Sequence, residues 1–369
     1  MKVELTMNNI LFFTLYMSVG GAEKVIANLV NSYVKKGIDC TIVTLIKSEC
    51  IYNIDARVNI VSLSESKYLK RSNYIHLFKK LRKLVKRLNP DIIVGMPEEV
   101  IIKAIPFLLG LDIPIVVSER NNPYVMPKSK ITRVMRRIFY PFVDGFIFQT
   151  EGAANFFSKS IRKRSKIIQN PLDADRLPPI YEGERKKEVI HIGRFQPQKN
   201  HELLIRAFSD FYKLHSDYKL IMYGNGESRQ KLEELASKLL PKEAYSFNSA
   251  RNDVWNVVNS ASMFVLSSDY EGLPNVLIEA MALSIPVIST DCPSGGPRSL
   301  ITNKENGILV SVNNKEELSN AMCRLAENPK FAAELGKNSM KIRDQLELEK
   351  ITEQWRCFLN DIYKKGHRT

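Results

Sequence analysis

The sequence has no run of about 20 apolar residues, the length that a membrane-spanning helix needs, anywhere in its 369 residues. It also lacks the cysteine spacing of a zinc site or of a disulfide framework, because its five cysteines are scattered along the chain. Its hydrophobic fraction of 44% and charged fraction of 25% are ordinary for a globular protein. These features predict a protein of the reducing cytoplasm with no membrane span.

Acidic residues are scarce in the first half of the chain. Residues 1–170 contain 27 Lys and Arg but only 13 Asp and Glu, whereas residues 171–369 contain 27 of each. The whole net charge of +14 therefore lies in the first half. A basic domain of this kind attracts polyanions, which include nucleic acid, an anionic membrane surface and a phosphate-bearing substrate.

Length and strand pattern together predict two domains. A chain of 369 residues exceeds the size at which one hydrophobic core usually stops growing. Short apolar or β-branched runs alternate with helical periodicity, seven of them before residue 170 and five after residue 188, which indicates parallel α/β units. The proline-rich stretch 171–187 separates the two sets as a linker. Two open α/β domains would face a cleft, with ligands at the carboxyl ends of their strands.

A basic loop follows the first strand of the second half. Its sequence, Gly-Arg-Phe-Gln-Pro-Gln-Lys-Asn-His at residues 193–201, places Arg194 and Lys199 above the predicted sheet. A diphosphate needs two positive charges, and an arginine grips phosphate oxygens with two hydrogen bonds. A solvated basic loop is the alternative, and charge alone does not separate the two.

Two glutamates follow a later strand with a spacing of eight. Glu271 lies in the loop and Glu279 lies inside the next helix, after the Gly-Leu-Pro-Asn of residues 272–275. A carboxylate in an otherwise apolar helix is costly without a partner, and a ribose diol would supply one for Glu279. Glu271 could stabilise positive charge at an anomeric carbon.

A turn with two glycines lies near the start of the first half. Gly20 and Gly21 follow the first strand and begin a helix, where backbone N–H groups and the helix dipole favour an anion. A plain tight turn is as good an interpretation of this motif alone. Because no full Gly-x-Gly-x-x-Gly is present, a dinucleotide site is disfavoured.

Together these motifs resemble the family-4 retaining glycosyltransferases, whose GT-B fold has two Rossmann-like α/β domains facing a cleft. Gly-Asn-Gly at 224–226, Asn-Pro-Leu-Asp at 170–173 and Asn-Gly-Ile-Leu-Val at 306–310 extend the resemblance over nearly the whole chain. It implies an acceptor-binding domain at 1–173, a nucleotide-sugar-binding domain at 174–347, and a C-terminal helix at 348–369 that packs back on the first domain.

The resemblance also implies roles for individual residues. Arg194 and Lys199 would bind the donor diphosphate, Glu279 the ribose and Glu271 the transferred sugar, so Glu271, Arg194 and Lys199 are the predicted catalytic residues. The other donor-binding residues that it implies are Gly20, Gly21, Gly224, Leu273, Pro274, Asn275 and Val276. No metal and no cofactor are expected if the two cations suffice for the diphosphate.

Two segments depart from the family pattern. Where many relatives place a histidine near the reacting sugar, this chain has Ser-Glu-Arg-Asn-Asn-Pro at 118–123, a variant that resembles enzymes building bacterial surface polysaccharides on a lipid diphosphate carrier. Glu119, Arg120 and Asn121 are therefore candidate acceptor-side residues, and Glu119 either faces the acceptor or pairs with Arg120. The segment 294–299 has a serine where relatives commonly carry an acidic residue, which leaves its role open.

Two basic stretches in the first half predict contact with anionic lipid. One runs from Lys67 to Arg87, with an apolar stripe from Ile75 to Leu88 that also suits ordinary packing on a sheet. The other runs from Lys128 to Arg137 and precedes an apolar Ile-Phe-Tyr. Packing does not require so much positive charge, whereas docking to anionic headgroups uses it.

The resemblance, together with the basic stretches, implies a retaining, metal-independent glycosyltransferase on the cytoplasmic face of the membrane. It would move a hexose or N-acetylhexosamine, with GalNAc one candidate, from a UDP-sugar to a lipid-diphosphate-linked glycan of O-antigen or capsule. A nucleotide-sugar epimerase of similar fold is one alternative. A nucleic-acid-binding protein is a weaker one, because the chain has no recognisable nucleic-acid-reading motif.

Overall fold

The computed structural model describes residues 6–18, 20–66 and 73–366. The chain divides into two compact units. Unit 1 comprises residues 1–171 and 348–369, and unit 2 comprises residues 172–347. Among the described residues, no helix is both long enough and apolar enough to cross a bilayer.

Unit 1 is built on a parallel sheet of seven strands, in the order β3-β2-β1-β4-β5-β6-β7. The strands are β1 (Asn9–Thr14), β2 (Asp39–Thr44), β3 (Asn59–Ser62), β4 (Ile92–Gly95), β5 (Ile115–Ser118), β6 (Gly145–Phe148) and β7 (Ser165–Ile167). The helices that connect them are α1 (Gly21–Lys35), α2 (Tyr74–Leu88), α3 (Glu98–Leu108), α4 (Lys130–Phe139), α5 (Glu151–Asn155) and α6 (Lys159–Arg162). The central strands are apolar on both faces because helices cover both sides of the sheet.

Unit 2 is built on a second parallel sheet, of six strands in the order β10-β9-β8-β11-β12-β13. The strands are β8 (Lys186–Ile192), β9 (Lys219–Tyr223), β10 (Tyr245–Asn248), β11 (Ala261–Leu266), β12 (Val287–Thr290) and β13 (Ile308–Val310). The helices are α7 (His201–Tyr212), α8 (Arg229–Leu239), α9 (Val254–Val258), α10 (Asn275–Ala282), α11 (Lys315–Glu327), α12 (Pro329–Ser339) and α13 (Ile342–Gln345).

The sequence pattern missed strand β10. This strand lies at the edge of the sheet and pairs only with β9 among the described strands. Its sequence is Tyr-Ser-Phe-Asn, and all four residues are only partly buried. An edge strand has one neighbour and one wet side, so it needs no continuous apolar run and gives a weak signal.

The last helix, α14 (Leu348–Gly366), belongs to unit 1 and packs on α1. Its Trp355 is fully buried, and the hydroxyl of Tyr33 in α1 donates to the Thr352 carbonyl at 3.2 Å. Lys36 and Glu349 form an ion pair at 2.8 Å at the rim of this contact. The fold is thus GT-B, with the C-terminal helix returning to the first unit. The chain passes from unit 1 to unit 2 at residues 171/172, two residues before the predicted boundary at Asp173.

Candidate functional site

Four loops at the carboxyl ends of neighbouring strands form the candidate site of unit 2. They follow β8, β9, β11 and β12, which lie side by side in the sheet. Because all these strands are parallel, their carboxyl ends share one edge, which is where open α/β sheets bind ligands. The basic loop follows β8, and the loop with Glu271 follows β11.

The basic loop rests on the glycines that follow β9. The Gly193 N–H donates to the Tyr223 carbonyl at 2.9 Å, and the Phe195 N–H donates to the Asn225 carbonyl at 3.0 Å. A Cβ on Gly224 would lie 2.0 Å from the Gly193 carbonyl oxygen, so only glycine allows this approach. The structure therefore gives Gly224 a role in packing beneath the basic loop. Its predicted contact with the donor stays a prediction.

Lys199 and Glu271 form a buried ion pair. The Lys199 Nζ lies 2.6 Å from the Glu271 Oε1, and the two side chains are only 14% and 8% exposed. The Ser268 hydroxyl donates to the same carboxylate oxygen at 2.6 Å. Two of the three predicted catalytic residues, 72 positions apart in the sequence, are thus brought into direct contact.

Further hydrogen bonds join the two loops that carry this pair. The Ser267 hydroxyl donates to the Lys199 carbonyl at 2.9 Å, and the Asp269 N–H donates to the Gln198 carbonyl at 2.9 Å. The Gln198 amide donates to the Tyr270 carbonyl at 2.8 Å. Because both backbones are tied at several points, the positions of Lys199 and Glu271 are fixed relative to the sheet.

Arg194, the third predicted catalytic residue, is the exposed cation of the group. Its positive charge opposes the rise in the pKa of Tyr270, which burial and the neighbouring carboxylates of Glu271 and Asp269 cause. The guanidinium therefore lies within electrostatic range of the loop that bears Glu271. Its exposure leaves its donors available to an anion.

Glu279 is buried in α10 and held by a tryptophan that the sequence analysis missed. The Trp255 indole N–H donates to the Glu279 Oε2 at 2.7 Å, and both residues are 7% exposed. The helix begins at Asn275, directly after Pro274. Leu273 is buried and Val276 is partly buried. The indole donor fixes the carboxylate orientation, and nothing in the local sequence around Trp255 signalled this contact.

The segment whose role the sequence left open supports Glu271. The Ser294 hydroxyl donates to the Glu271 backbone carbonyl at 2.9 Å. A Cβ on Gly296 would lie 1.8 Å from the Gly272 carbonyl oxygen, so the two backbones touch. The serine at position 294 can therefore hold the loop of Glu271, because the group that it contacts is a backbone carbonyl, which accepts a hydrogen bond from the hydroxyl.

Two buried histidines lie beneath the basic loop. Burial is the main cause that lowers the pKa of His191 to about 4 and that of His201 to about 2, and the charge of Lys199 contributes to both shifts. Their rings meet edge to face with centroids 4.5 Å apart. Both rings are thus neutral near pH 7, and they add no charge to that of Arg194 and Lys199.

The glycine turn lies in unit 1, at the start of α1. The Gly20 N–H donates to the Tyr52 hydroxyl oxygen at 3.1 Å, and that hydroxyl also lies 2.7 Å from the Gly20 carbonyl. Gly21 is the first residue of the helix. Tyr52 thus holds the turn at the carboxyl end of β1, and binding of an anion by this turn stays a prediction.

The three candidate acceptor-side residues of unit 1 have different surroundings. Glu119 is 1% exposed, and its carboxylate accepts a hydrogen bond from the Tyr140 hydroxyl. It neither reaches the surface nor pairs with Arg120. Arg120 is partly buried and donates to the Asn170 side-chain oxygen. The Asn121 side chain accepts from the Asn122 N–H at 2.8 Å. The predictions that Glu119 faces the acceptor or pairs with Arg120 are therefore both wrong, because its side chain points into the interior of unit 1.

Burial controls the charge of Glu119. Burial and, to a smaller extent, the nearby Glu98 raise the pKa of this carboxyl, while Arg136 and the Tyr140 hydrogen bond oppose the rise, and the net value is about 8. Its Oε2 has no hydrogen-bond partner among the described residues. Glu119 is thus largely protonated near neutral pH.

We expect Glu119→Gln to reduce the loss of stability at alkaline pH. Because the folded-state pKa of about 8 lies above the ordinary 4.5, the free energy of unfolding falls as pH rises from the lower value to the higher one. Glutamine does not titrate, so the variant lacks this loss. Between about pH 5 and about pH 9, the free energy of unfolding of the variant should therefore rise relative to that of the wild type by on the order of a few kcal/mol. Tm at both pH values measures this.

The exposed Glu65→Gln is the control for the Glu119 variant, since Glu65 lies on the surface of the same unit. It should shift Tm equally little at both pH values. If the difference between Glu119→Gln and wild type were the same at acid and alkaline pH, the raised pKa would be wrong.

One group of metal-ligand type lies elsewhere in unit 2. His215, Cys323 and Glu327 place their ligand atoms within 4.8 Å of one another, and no other such group was found among the described residues. His215 follows the C-terminal end of α7, whereas the basic loop precedes the N-terminal end of that helix. No local sequence pattern indicates this group, since His215 is far from the other two members in the chain. It does not bear on the donor site.

Two family models match the chain in succession. Residues 19–176 match the model described as Glycosyltransferase Family 4. Residues 176–342 match the model described as Glycosyl transferases group 1. The two matches meet at residue 176, shortly after the chain enters unit 2 at residue 172.

Two curated relatives span nearly their whole length and that of this chain. One is an uncharacterized glycosyltransferase of Haemophilus influenzae, 27% identical over 358 residues, with 96% of this chain and 100% of the relative covered. The other, from Campylobacter jejuni, is 28% identical over 362 residues, with 96% and 99% covered. It is named GalNAc-alpha-(1->4)-GalNAc-alpha-(1->3)-diNAcBac-PP-undecaprenol alpha-1,4-N-acetyl-D-galactosaminyltransferase.

Solved structures share the fold. Anabaena Alr3699/HepE in complex with UDP and glucose has a TM-score of 0.79 at 17% identity, with 95% of this chain and 98% of that chain covered. Sucrose-phosphate synthase from Thermosynechococcus elongatus has a TM-score of 0.84 at 16% identity, with 97% and 100% covered.

Proposed function

Because this chain belongs to the GT-B glycosyltransferases of family 4, we propose that it moves a sugar from a UDP-sugar to a lipid-diphosphate-linked glycan. The sugar is a hexose or an N-acetylhexosamine, with GalNAc the first candidate, and its anomeric configuration is retained. The product is part of a bacterial surface polysaccharide, an O-antigen or a capsule. The Campylobacter jejuni relative is named for GalNAc transfer to an undecaprenyl diphosphate glycan, which supports this choice.

The observation that carries the proposal is the contact of Lys199 with Glu271 at 2.6 Å, beside Arg194. Breaking the bond between sugar and diphosphate develops negative charge on the leaving group and positive charge on the sugar ring. Lys199 and Arg194 would stabilise the first, and Glu271 the second. Opposite charges held in contact by the fold provide both kinds of stabilisation at one point, without reorganisation during the reaction.

The donor's ribose would bind at Glu279. The carboxylate accepts a hydrogen bond from Trp255 at 2.7 Å, which orients it, and carboxylate oxygens are suitable acceptors for the hydroxyls of a diol. Asn275 and Val276 lie in the first turn of α10 and Gly21 in that of α1. Helix N-termini provide backbone donors for phosphate oxygens.

The acceptor would bind on unit 1 near Arg120 and Asn121. Glu119 is excluded from direct contact because it is buried against Tyr140. Arg120 lies at the carboxyl end of β5 and shares the Asn170 oxygen with the Gln149 amide, which lies 2.7 Å from it. This fixed guanidinium suits an anionic group of the acceptor, such as the lipid diphosphate.

A lipid-linked acceptor requires a protein that works at a membrane surface. We therefore place the protein on the cytoplasmic face of the cell membrane as a peripheral protein. Of the two basic stretches, that from Lys67 to Arg87 lies partly outside the described residues, and its described part is α2. That helix buries most of its apolar stripe, but Ile75 is 61% exposed and Leu88 is only partly buried. Its outer face carries the basic residues.

The metal-free mechanism rests on the two cations. One Asp-x-Asp sequence occurs, at 173–175, and carboxylates in this arrangement can hold a divalent ion. Asp173 is already paired with Arg176 at 2.8 Å. We therefore propose that Arg194 and Lys199, not a metal ion, neutralise the diphosphate.

The test is transfer with a panel of UDP-sugars and a lipid-diphosphate glycan, with and without EDTA. One UDP-sugar should raise Tm most, because a ligand at about 100 times its Kd stabilises the folded state by roughly 2.7 kcal/mol. The same sugar should appear in the glycan, and EDTA should leave its rate unchanged.

Two results would contradict parts of this proposal. Epimerised UDP-sugar, or free UDP without glycan product, would instead favour the epimerase alternative. Loss of transfer in EDTA with recovery in magnesium or manganese would contradict the metal-free mechanism alone.

A further inference from the structure

Helix α4 packs on the core of unit 1 with a mixed face, in which two buried polar residues accompany partly buried apolar ones. Thr132 and Arg136, one helical turn apart, are 2% and 6% exposed. The Arg136 guanidinium donates to the Met126 carbonyl at 2.9 Å and to the Pro123 carbonyl at 3.1 Å. It also lies over the Phe156 ring, 4.7 Å from its centroid. These contacts determine which side of the helix faces inward.

A row of apolar residues on α4 faces solvent. Ile131, Val134 and Ile138 are 64%, 58% and 52% exposed, and Phe142, one turn beyond Ile138, is 60% exposed. A spacing of three and four residues places Ile131, Val134 and Ile138 on one side of α4, and Phe142 lies just beyond the end of that helix, in the short 3-10 turn Tyr140–Phe142. We call these four residues the α4 ridge. An exposed apolar row of this size on a helix normally marks a binding surface.

Positive charge surrounds the α4 ridge. Lys128, Lys130, Arg133 and Arg137 are all exposed. No Asp or Glu occurs from residue 120 to residue 143, so no acidic residue in this segment offsets their charge. An apolar row bordered by cations is the pattern of helices that lie in the interface of an anionic bilayer.

We propose that the α4 ridge inserts into the headgroup and acyl boundary of an anionic membrane, with the surrounding lysines and arginines among the phosphates. Docking of unit 1 by this surface would bring the protein to its lipid-linked acceptor, and that purpose rests on the proposed function. The helix lies parallel to the membrane plane, since its apolar residues run along its length and not at one end.

Other occupants suit this surface less well. A nucleic acid would use the cations but would leave the apolar row without a partner. A second copy of the chain would bring two sets of Lys128, Lys130, Arg133 and Arg137 together, which like-charge repulsion opposes. Anionic lipid matches both the row and its border.

Helix α2 makes a different contribution. Its Leu77, Phe78 and Leu81 are buried in the core of unit 1, and its Arg82 donates to the Phe107 and Leu109 carbonyls at 2.8 Å. The lysines on its outer side can attract an anionic membrane at long range, but among the described residues this helix has no comparable apolar row to insert. Insertion is therefore assigned to α4 and not to the longer basic stretch.

Vesicle sedimentation with the full chain and no sugar substrate tests the proposal. The wild type should bind phosphatidylcholine vesicles that contain phosphatidylglycerol, and binding should weaken as salt rises. The triple variant Ile131→Gln, Val134→Gln, Ile138→Gln should lose at least about tenfold in partitioning. Leu214→Gln is the control, since Leu214 is 72% exposed but lies in unit 2. It should bind as the wild type does.

A fluorescent reporter tests insertion directly. Both native tryptophans, Trp255 and Trp355, are buried, so a tryptophan at an exposed site dominates any spectral shift. The emission of the Ile138→Trp variant should shift to shorter wavelength with anionic vesicles, and brominated acyl chains should quench it. Leu214→Trp should show neither effect.

Several results would overturn the proposal. These are triple-variant binding equal to that of the wild type, an unshifted emission spectrum of the vesicle-bound Ile138→Trp variant, and absence of vesicle binding by a folded wild type. Self-association that the triple variant abolishes, without vesicle binding, would instead assign the ridge to a second copy. Equal Tm for wild type and triple variant establishes that the variant is folded. Since no donor is present, failure of the transferase proposal would leave these outcomes unchanged.

Discussion

Replacing Lys199 with methionine is expected to lower the rate of sugar transfer by roughly a hundred- to a thousandfold, the usual effect of removing one charge-stabilising donor from an active site. Methionine keeps most of the volume of the side chain but removes the charge that meets Glu271 at 2.6 Å. Kinetics with the best UDP-sugar would show the loss in kcat, because the charge on the leaving diphosphate develops only in the transition state.

The same substitution affects stability, and a second variant separates the two effects. Glu271 would remain as a buried carboxylate without its cation, and breaking a buried ion pair in this way costs about 3 to 5 kcal/mol. The double variant Lys199→Met, Glu271→Gln removes the unpaired charge. We expect it to recover much of the lost Tm but none of the transfer.

Two results would contradict this assignment. If Lys199→Met kept more than about a tenth of the wild-type kcat while remaining folded, Lys199 would not stabilise the leaving group. If the double variant recovered transfer together with Tm, the pair would be structural only.

Replacing Gly296 with alanine is expected to lower transfer by about a hundredfold, although residue 296 has no predicted contact with substrate. The added Cβ would lie 1.8 Å from the Gly272 carbonyl oxygen, so the backbone that follows Glu271 must move. A displacement of about 1 Å in a reacting group can cost about a hundredfold in rate. Steady-state kinetics and Tm should both show the change.

Gly295→Ala is the matched control for this prediction. Gly295 has φ of +73°, with no atom within 4 Å of an added Cβ. Alanine there costs about 1 to 2 kcal/mol for the left-handed backbone but displaces nothing. Its Tm should fall while kcat stays near that of the wild type. Equal kcat losses in the two variants would indicate general softening of the loop and not displacement of Glu271.

The local sequence predicted the chemistry of the donor loops but not how they meet. Arg194, Lys199, Glu271 and Glu279 were recognised because each follows a strand signal, and parallel strands place such loops at one edge. The contacts of Ser294 and Trp255 with the two glutamates were missed. Each joins segments more than 20 residues apart, and no local pattern reports such a distance.

Glu119 shows the limit of motif reading. Its motif suggested an acceptor contact or a pair with the adjacent Arg120, yet its partner is Tyr140, 21 residues away. Whether a carboxyl after a strand reaches solvent depends on what packs over it. Here the residues after α4 cover it, and the position of α4 in turn depends on the contacts of Arg136 with the carbonyls of Met126 and Pro123.

For this protein, the sequence alone determined the two α/β units, the strands with strong apolar runs, the loops with phosphate-type chemistry and the uneven charge. These are properties of residues within a few positions of each other, which side-chain periodicity and turn chemistry report directly. Only the tertiary structure decided that Lys199 meets Glu271, that Glu119 is buried and that α4 presents a row of apolar residues to solvent. Each of these depends on packing between distant segments, where the burial of one group sets the surroundings of another.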